Sequence, residues 1–148
     1  MTDAIIKKGA ATVECPRPEN AAFLTPKPLS EAKVAIVTSA SLHHSDDDDF
    51  APSDTGYRVL DRNRRDIVVG HWSPNFDASG VTADLNVVFP IDRLEELEKQ
   101  GILGSVSEVH IAVAGNQFDL SGIRLDGGPS AAALLTKNEV DVVLLTPV

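Results

Sequence analysis

The sequence predicts an α/β domain built on an open three-layer sheet with parallel central strands, Rossmann-like or flavodoxin-like in type. Three observations carry that prediction. Lys33 to Ser39, Val109 to Gly115 and Val140 to Thr146 are nearly continuous runs of β-branched and apolar residues, the pattern of strands covered on both faces. Helix-like segments precede the second run and separate it from the third. Strand, helix and strand then recur within about forty residues, the spacing of a crossover unit.

Each element has its own reason. Residues 1–32 mix isolated apolar positions with several prolines and show no sustained period, so they read as an arm ahead of a single domain spanning 33–148. Ser41 to Pro52 is polar and holds the consecutive aspartates Asp46 to Asp49, whose mutual repulsion favours a solvated loop. Tyr57 to Leu60 and Ile67 to Val69 flank the charged stretch Asp61 to Asp66 and read as short strands able to pair as a hairpin. Ser73 to Asp84 is loop by composition. Pro90 to Gly101 predicts the clearest helix, with Pro at its start, acids in its first turns, Glu95 and Lys99 four apart, and a closing glycine. Asn116 to Gly128 reads as a longer loop, and Pro129 opens a second helix that runs to Lys137 with Asn138 as its stop. The last apolar strand is followed only by Pro147 and Val148. A bare apolar strand there predicts cover from another chain, association into oligomers, or a chain that is the front part of a longer protein.

Composition narrows the function classes. The 148 residues carry a formal net charge of -9, which repels phosphate backbones and anionic lipid heads, so neither nucleic acid nor a membrane is an expected partner. The one cysteine, Cys15, leaves no internal disulfide framework. No charged-then-apolar leader and no long apolar run is present, and the cytoplasm is the expected compartment.

In order along the chain, Val37-Thr38-Ser39-Ala40-Ser41-Leu42-His43, Tyr57-Arg58, His71, Asp77, Asp84 to Leu94 (DLNVVFPIDRL), Gly101, His110, Gly115 and Val140 to Thr146 resemble the glycine/sarcosine/betaine/D-proline reductase family on its selenoprotein B side. The similarity spans roughly Lys33 to Val148, and DLNVVFPIDRL is its most specific piece. In that family the strand matching DVVLLTPV is followed at once by the catalytic selenocysteine, or by cysteine in selenium-free relatives. The resemblance therefore implies a nucleophile immediately after Val148, and a chain translated up to an unread selenocysteine codon or cut there. Within that family the resemblance fits the small selenoprotein subunit of D-proline reductase better than the longer glycine reductase component. The implied activity is reductive cleavage of a C–N bond of a small amino acid. A pyruvoyl group on a partner subunit activates the substrate amine, a chalcogen anion attacks the α-carbon, and a neighbouring thiol reduces the product. No cofactor is implied in this chain itself. Cys15 matches nothing catalytic in the family.

The resemblance implies catalytic roles for His43 and His71 and substrate-binding roles for Ser39, Asp77, Arg93 and Gly115. Each has a plainer alternative. His43 follows a strand end, where α/β folds place functional groups; it either gives a proton to the departing nitrogen or bonds the loop backbone. His71 and Asp77 either line the same crest or serve as caps and turns. Arg93 either binds a carboxylate or pairs with Asp92 or Glu96. Asp84 and Asn86 read as scaffold, His44 as a loop histidine and His110 as a core histidine. A metal site on His43, His44 and Asp46 to Asp49 is disfavoured, because consecutive residues splay their side chains. A non-catalytic module of the same fold, binding a small molecule or a protein, is the competing function.

Overall fold

A computed structural model describes residues 3–12, 24–73, 76–115, 117 and 119–148; Cys15 lies outside them. Among the described residues the arm holds a short helix, α1 (Asp3–Ala10), and a 3₁₀ turn, Leu29–Glu31, where the sequence shows no period. The sheet is built around β1 (Lys33–Thr38). β7 (Val142–Thr146) runs parallel along one edge of β1, with Val34 opposite Val142 and Thr38 opposite Thr146. Since β7 takes up that edge, the two remaining parallel partners share the other. β5 (Ser105–Val106) lies against the start of β1 and β6 (Val109–Val113) against its end. β3 (Tyr57–Asp61) closes the far side of β6 in antiparallel register, Leu60 opposite His110. The sheet is therefore mixed, parallel at its centre with an antiparallel edge.

Alternation along β1 divides the core, because successive side chains of a strand point to opposite faces. Val34 and Ile36 join Leu60, Val88, Phe89, Ile91 and Leu94 on one side. There α3 (Ile91–Lys99) and the 3₁₀ turn Leu85–Val87 cover the sheet. Ala35 and Val37 join Ile111, Ala131 and Leu135 on the other side, beneath α4 (Gly128–Lys137). Burial on both faces explains why these strands read as apolar runs without alternation.

Four expectations change, the first being that the segment expected as a solvated loop from Ser41 to Pro52 begins with a buried strand, Leu42–His44. The hairpin between Tyr57 to Leu60 and Ile67 to Val69 does not form. β4 (Ile67–Val69) instead pairs antiparallel with β2 (Leu42–His44), Leu42 opposite Val69 and His44 opposite Ile67. The physical reason lies in the backbone accounts of buried strands: β6 needs a partner on its second edge, and β3 supplies it. The charged connector between β3 and β4 meanwhile closes its own turn, Asn63 N–H donating to Asp61 Oδ1 at 2.7 Å. Ser73 to Asp84 contains a short helix, α2 (Ser79–Ala83), with Asp77 Oδ1 accepting the Ser79 N–H at 2.9 Å. The segment expected as loop up to Gly128 turns helical. Ile123–Gly127 is a π-helical turn that runs straight into α4, and the Gly128 N–H donates to the Ile123 carbonyl five residues back. Widening the turn immediately ahead of Pro129 lets proline sit in a continuing helix without the clash its ring otherwise causes.

The frame around α3 follows the sequence. Asp84 accepts the Asn86 N–H at 2.9 Å and Asn86 Oδ1 accepts the Asp92 N–H at 3.1 Å. Gly101 ends the helix at φ +71, a conformation that favours glycine. Glu95, four residues before Lys99, pairs with Arg62 and Arg65, each at 3.3 Å. Arg62 also pairs with Glu98 and donates to the Val106 carbonyl at 3.0 Å. Burial alone would raise the Glu98 carboxyl, but Arg62 and the Val106 N–H hold it below the ordinary carboxylate range. β7 is the exposed margin: Leu145 keeps 67% of its surface in solvent. Among the described residues no helix is long and apolar enough to cross a membrane.

His110 is buried in β6, its Nδ1 accepting the Ile36 N–H at 2.9 Å and its ring edge-on to Phe89. Burial, with help from Arg62 and Arg65, lowers its pKa to about 4. In the unfolded chain the ring titrates at its ordinary value, so below about pH 6.5 unfolding takes up a proton that the fold refuses. Stability is therefore expected to decline as pH falls from about 6.5 and to level off near 4, a total of about 3 kcal/mol. Urea unfolding of wild type and His110→Asn across that window measures it, and an equal slope in the variant would rule out His110 as the source.

Candidate functional site

β1, β6 and β7 are parallel, so their carboxyl ends meet at one crest, where α/β folds place reacting groups. Ser39 follows β1, Gly115 lies just past β6, and Val148 follows β7. Short bonds tie Val148 to Ser39 and Gly115 to the turn that follows Ser39. Val148 N–H donates to Ser39 Oγ at 3.0 Å, and Ser39 N–H donates to the Thr146 carbonyl at 3.3 Å. Gly115 N–H donates to Ser41 Oγ at 3.2 Å. The Thr146 hydroxyl donates to the Val88 carbonyl at 2.7 Å, anchoring the end of β7 to the 3₁₀ turn beneath it. Ser41, fully buried at φ +53, makes the sharp turn from β1 into β2. A non-glycine residue held in that region stores backbone strain, which a rigid surround must maintain.

His71 completes the crest. A Cβ added at Gly115 would stand 2.7 Å from His71 Nε2 and 2.7 Å from the Ser39 carbonyl oxygen, so only glycine leaves room for the ring. The imidazole stacks on Phe76, centroids 4.2 Å apart, and its Nδ1 accepts the Ser73 N–H at 3.3 Å. Partial burial lowers its pKa below the usual histidine value, so the ring is neutral at neutral pH. With Nδ1 accepting, the proton of the neutral ring sits on Nε2, the atom beside Gly115.

The other expected residues fall elsewhere. The His43 ring is buried, with Nε2 3.0 Å from Asp49 Oδ1, Phe50 edge-on at 6.2 Å and Gly70 packed against its Cε1 and Nδ1. It stands behind the His71 loop and touches it through Gly70. Asp77 lies at the surface just ahead of α2, where its bonds to Ser79 hold it below the usual carboxylate range. Arg93 is exposed on α3 and pairs with Glu96 at 3.0 Å, so the ion-pair alternative describes its placement. His44 Nε2 accepts the Asp61 N–H at 2.9 Å, a structural bond. The aspartate loop is tied down from several directions. Arg64 takes Asp46 at 2.6 Å, Asp47 Oδ2 accepts the His44 N–H at 3.1 Å, and Arg58 donates to the Asp48 and Asp49 carbonyls. The crest thus gathers Ser39, His71 and Gly115 and leaves out Asp77 and Arg93.

Sequence reasoning passed over a cleft of about 310 Å³ whose lining includes Ser53, Thr55, Trp72, Gln117 and Asp119. It adjoins the crest, since Trp72 follows His71 and Gln117 lies two residues past Gly115. The available signal was Trp72, the chain's single tryptophan, placed in a polar loop next to a histidine.

The chain matches the family described as glycine/sarcosine/betaine reductase selenoprotein B over residues 14–148. It is 33% identical over 123 residues to the D-proline reductase subunit gamma of Acetoanaerobium sticklandii, covering 81% of this chain and 50% of that protein. It is 28% identical over 130 residues to the glycine reductase complex component B subunit gamma of Symbiobacterium thermophilum, covering 81% of this chain and 29% of that protein. The sarcosine reductase complex component B subunit beta of Peptoclostridium acidaminophilum is likewise 28% identical, over 126 residues, with 81% of this chain and 29% of that protein covered. The chain thus spans half or less of the length of these relatives. No solved structure matches it. Matched over nearly its whole length, the chain belongs to the glycine/sarcosine/betaine reductase selenoprotein B family.

Proposed function

We propose that this chain forms the amino-terminal portion of a selenocysteine- or cysteine-dependent subunit of an amino-acid reductase of the D-proline type. The observation that carries the reading is the convergence of Ser39, Gly115 and the Nε2 of His71 where β7 ends. That strand is the one the family follows with its nucleophile. A neutral imidazole presenting an N–H there suits an anionic selenolate or thiolate, since a hydrogen bond to the charged form favours it. Ser39 holds the end of β7 in place, and Gly115 keeps open the space between the ring and the strand ends. His43 serves as a positioning residue, backing Gly70 so that the next residue, His71, faces the crest. A pyruvoyl group on a partner subunit, when bound, would make the substrate α-carbon electrophilic.

The test uses the complete subunit that contains this chain, co-expressed with its pyruvoyl-bearing partner and supplied with a dithiol. D-proline is expected to accept two electrons and two protons, break its bond between the α-carbon and the nitrogen, and appear as 5-aminopentanoate. If mass spectrometry finds no reduction of D-proline, glycine, sarcosine or betaine by a correctly assembled complex, the reading fails and the non-catalytic module takes its place.

A further inference from the structure

The cleft beside the crest has a lopsided chemistry. Ser53, Thr55 and Ser121 bring hydroxyls, Gln117 an amide, Trp72 an indole on a residue that is 40% exposed, and Asp119 a carboxylate, and among the described residues no lysine or arginine lines it. Two bonds fix part of this lining. Gln117 Nε2 donates to the Asp54 carbonyl at 3.2 Å, and Asp119 Oδ1 accepts the Ser121 N–H at 2.8 Å. Its bonds to Ser121 hold the Asp119 carboxyl below the usual carboxylate range, so it is anionic at neutral pH. A ligand carboxylate entering here would meet a like charge with no cation to offset it. A small organic cation would meet a carboxylate and an indole, the two groups that attract ammonium most strongly.

We propose that this cleft binds the ammonium group of a small organic amine, with Asp119 as its counter-charge and Trp72 as its aromatic wall. The assignment deepens the reductase reading by giving the amino end of a substrate its own place, and it rests on that reading only for the identity of the natural ligand. Binding itself depends on the lining alone. A cleft of about 310 Å³ lies at the small end of the range for ligand pockets, in keeping with a ring or a few methyl groups and not a nucleotide.

Because Trp72 is the only tryptophan, the intrinsic fluorescence of the full 148-residue chain reads this cleft directly. Titration with pyrrolidinium chloride and with tetramethylammonium chloride, at constant ionic strength, is expected to give a saturable change. Sodium propionate over the same range is expected to give none. Asp119→Asn should raise the half-saturating cation concentration about tenfold or more, while Asp119→Glu keeps it within about threefold, the scale of losing or keeping one charge-assisted contact. Asp119→Ser retains a capping oxygen without the charge and replaces Asp119→Asn if circular dichroism shows that variant unfolded. Saturation by propionate, unchanged cation binding in the uncharged variant, or no saturable response to either cation would each overturn the proposal. D-proline turnover is read in a separate assay, so failure of one leaves the other standing.

Discussion

Replacing His71 with alanine is expected to slow D-proline reduction by the assembled complex by about a hundredfold or more, the usual scale for losing a positioned proton-bearing side chain. Alanine removes the Nε2 donor beside Gly115 and the Nδ1 acceptor that holds the Ser73 N–H. His71→Gln returns an amide donor and is expected to recover part of the loss. Acid should mimic the alanine variant. Protonation places a second hydrogen on Nδ1, which then faces another donor and releases the loop. Because burial lowers the His71 pKa, this acid limb is expected below the ordinary histidine value near pH 6.5, with the wild type active at and above neutrality. A plot of kcat against pH for the two proteins measures both effects. Undiminished kcat/KM in an alanine variant that still assembles would remove His71 from the site.

Gly115→Ala is expected to damage both stability and turnover. The new methyl would lie 2.7 Å from the Ser39 carbonyl oxygen, which is fixed by the sheet, and 2.7 Å from His71 Nε2. Backbone cannot yield as a side chain does, so the expected cost is about 2–3 kcal/mol, typical of forcing an extra carbon into a packed site. The displaced ring should reduce kcat about tenfold or more through misplacement alone. Gly80→Ala is the matched control: it lies inside α2 with nothing within 4 Å of the added carbon, and helix propensity predicts a gain of up to about 1 kcal/mol. Equal melting temperatures for the two variants would show that the crest is looser than its distances imply.

The sheet was largely legible because its central strands are buried on both faces and carry that burial as uninterrupted apolar runs. Lys33–Thr38, Val109–Val113, Val142–Thr146 and the helix Ile91–Lys99 stand within a few residues of expectation. Pairing was harder. Nothing local in Tyr57 to Asp61 distinguishes a hairpin partner from an edge strand on β6, since either satisfies the same backbone groups. The helical turn before α4 was hidden by its own glycines, which in sequence read as a loop; in the fold Gly122 and Gly127 let that turn press against Thr55 and its carbonyl. Of the site, order along the chain pointed to Ser39, His71 and Gly115, but not to their convergence, which comes from three strands far apart in sequence ending together. Asp77 and Arg93 had the right chemistry and nearby local partners, Ser79 and Glu96. The cleft left no sequence trace beyond Trp72, because its wall is assembled from loops in three separate stretches.

Thr55 stands between the cleft at Trp72 and a second, shallower hollow lined by Tyr57, Asp126 and Ser130. One residue is thus the common wall of two rooms, and the helix leaning on it by way of Gly122 and Gly127 sets where the wall stands. A bulkier side chain in place of Thr55 would therefore crowd both rooms at once, whereas among the described residues every other wall belongs to one room alone.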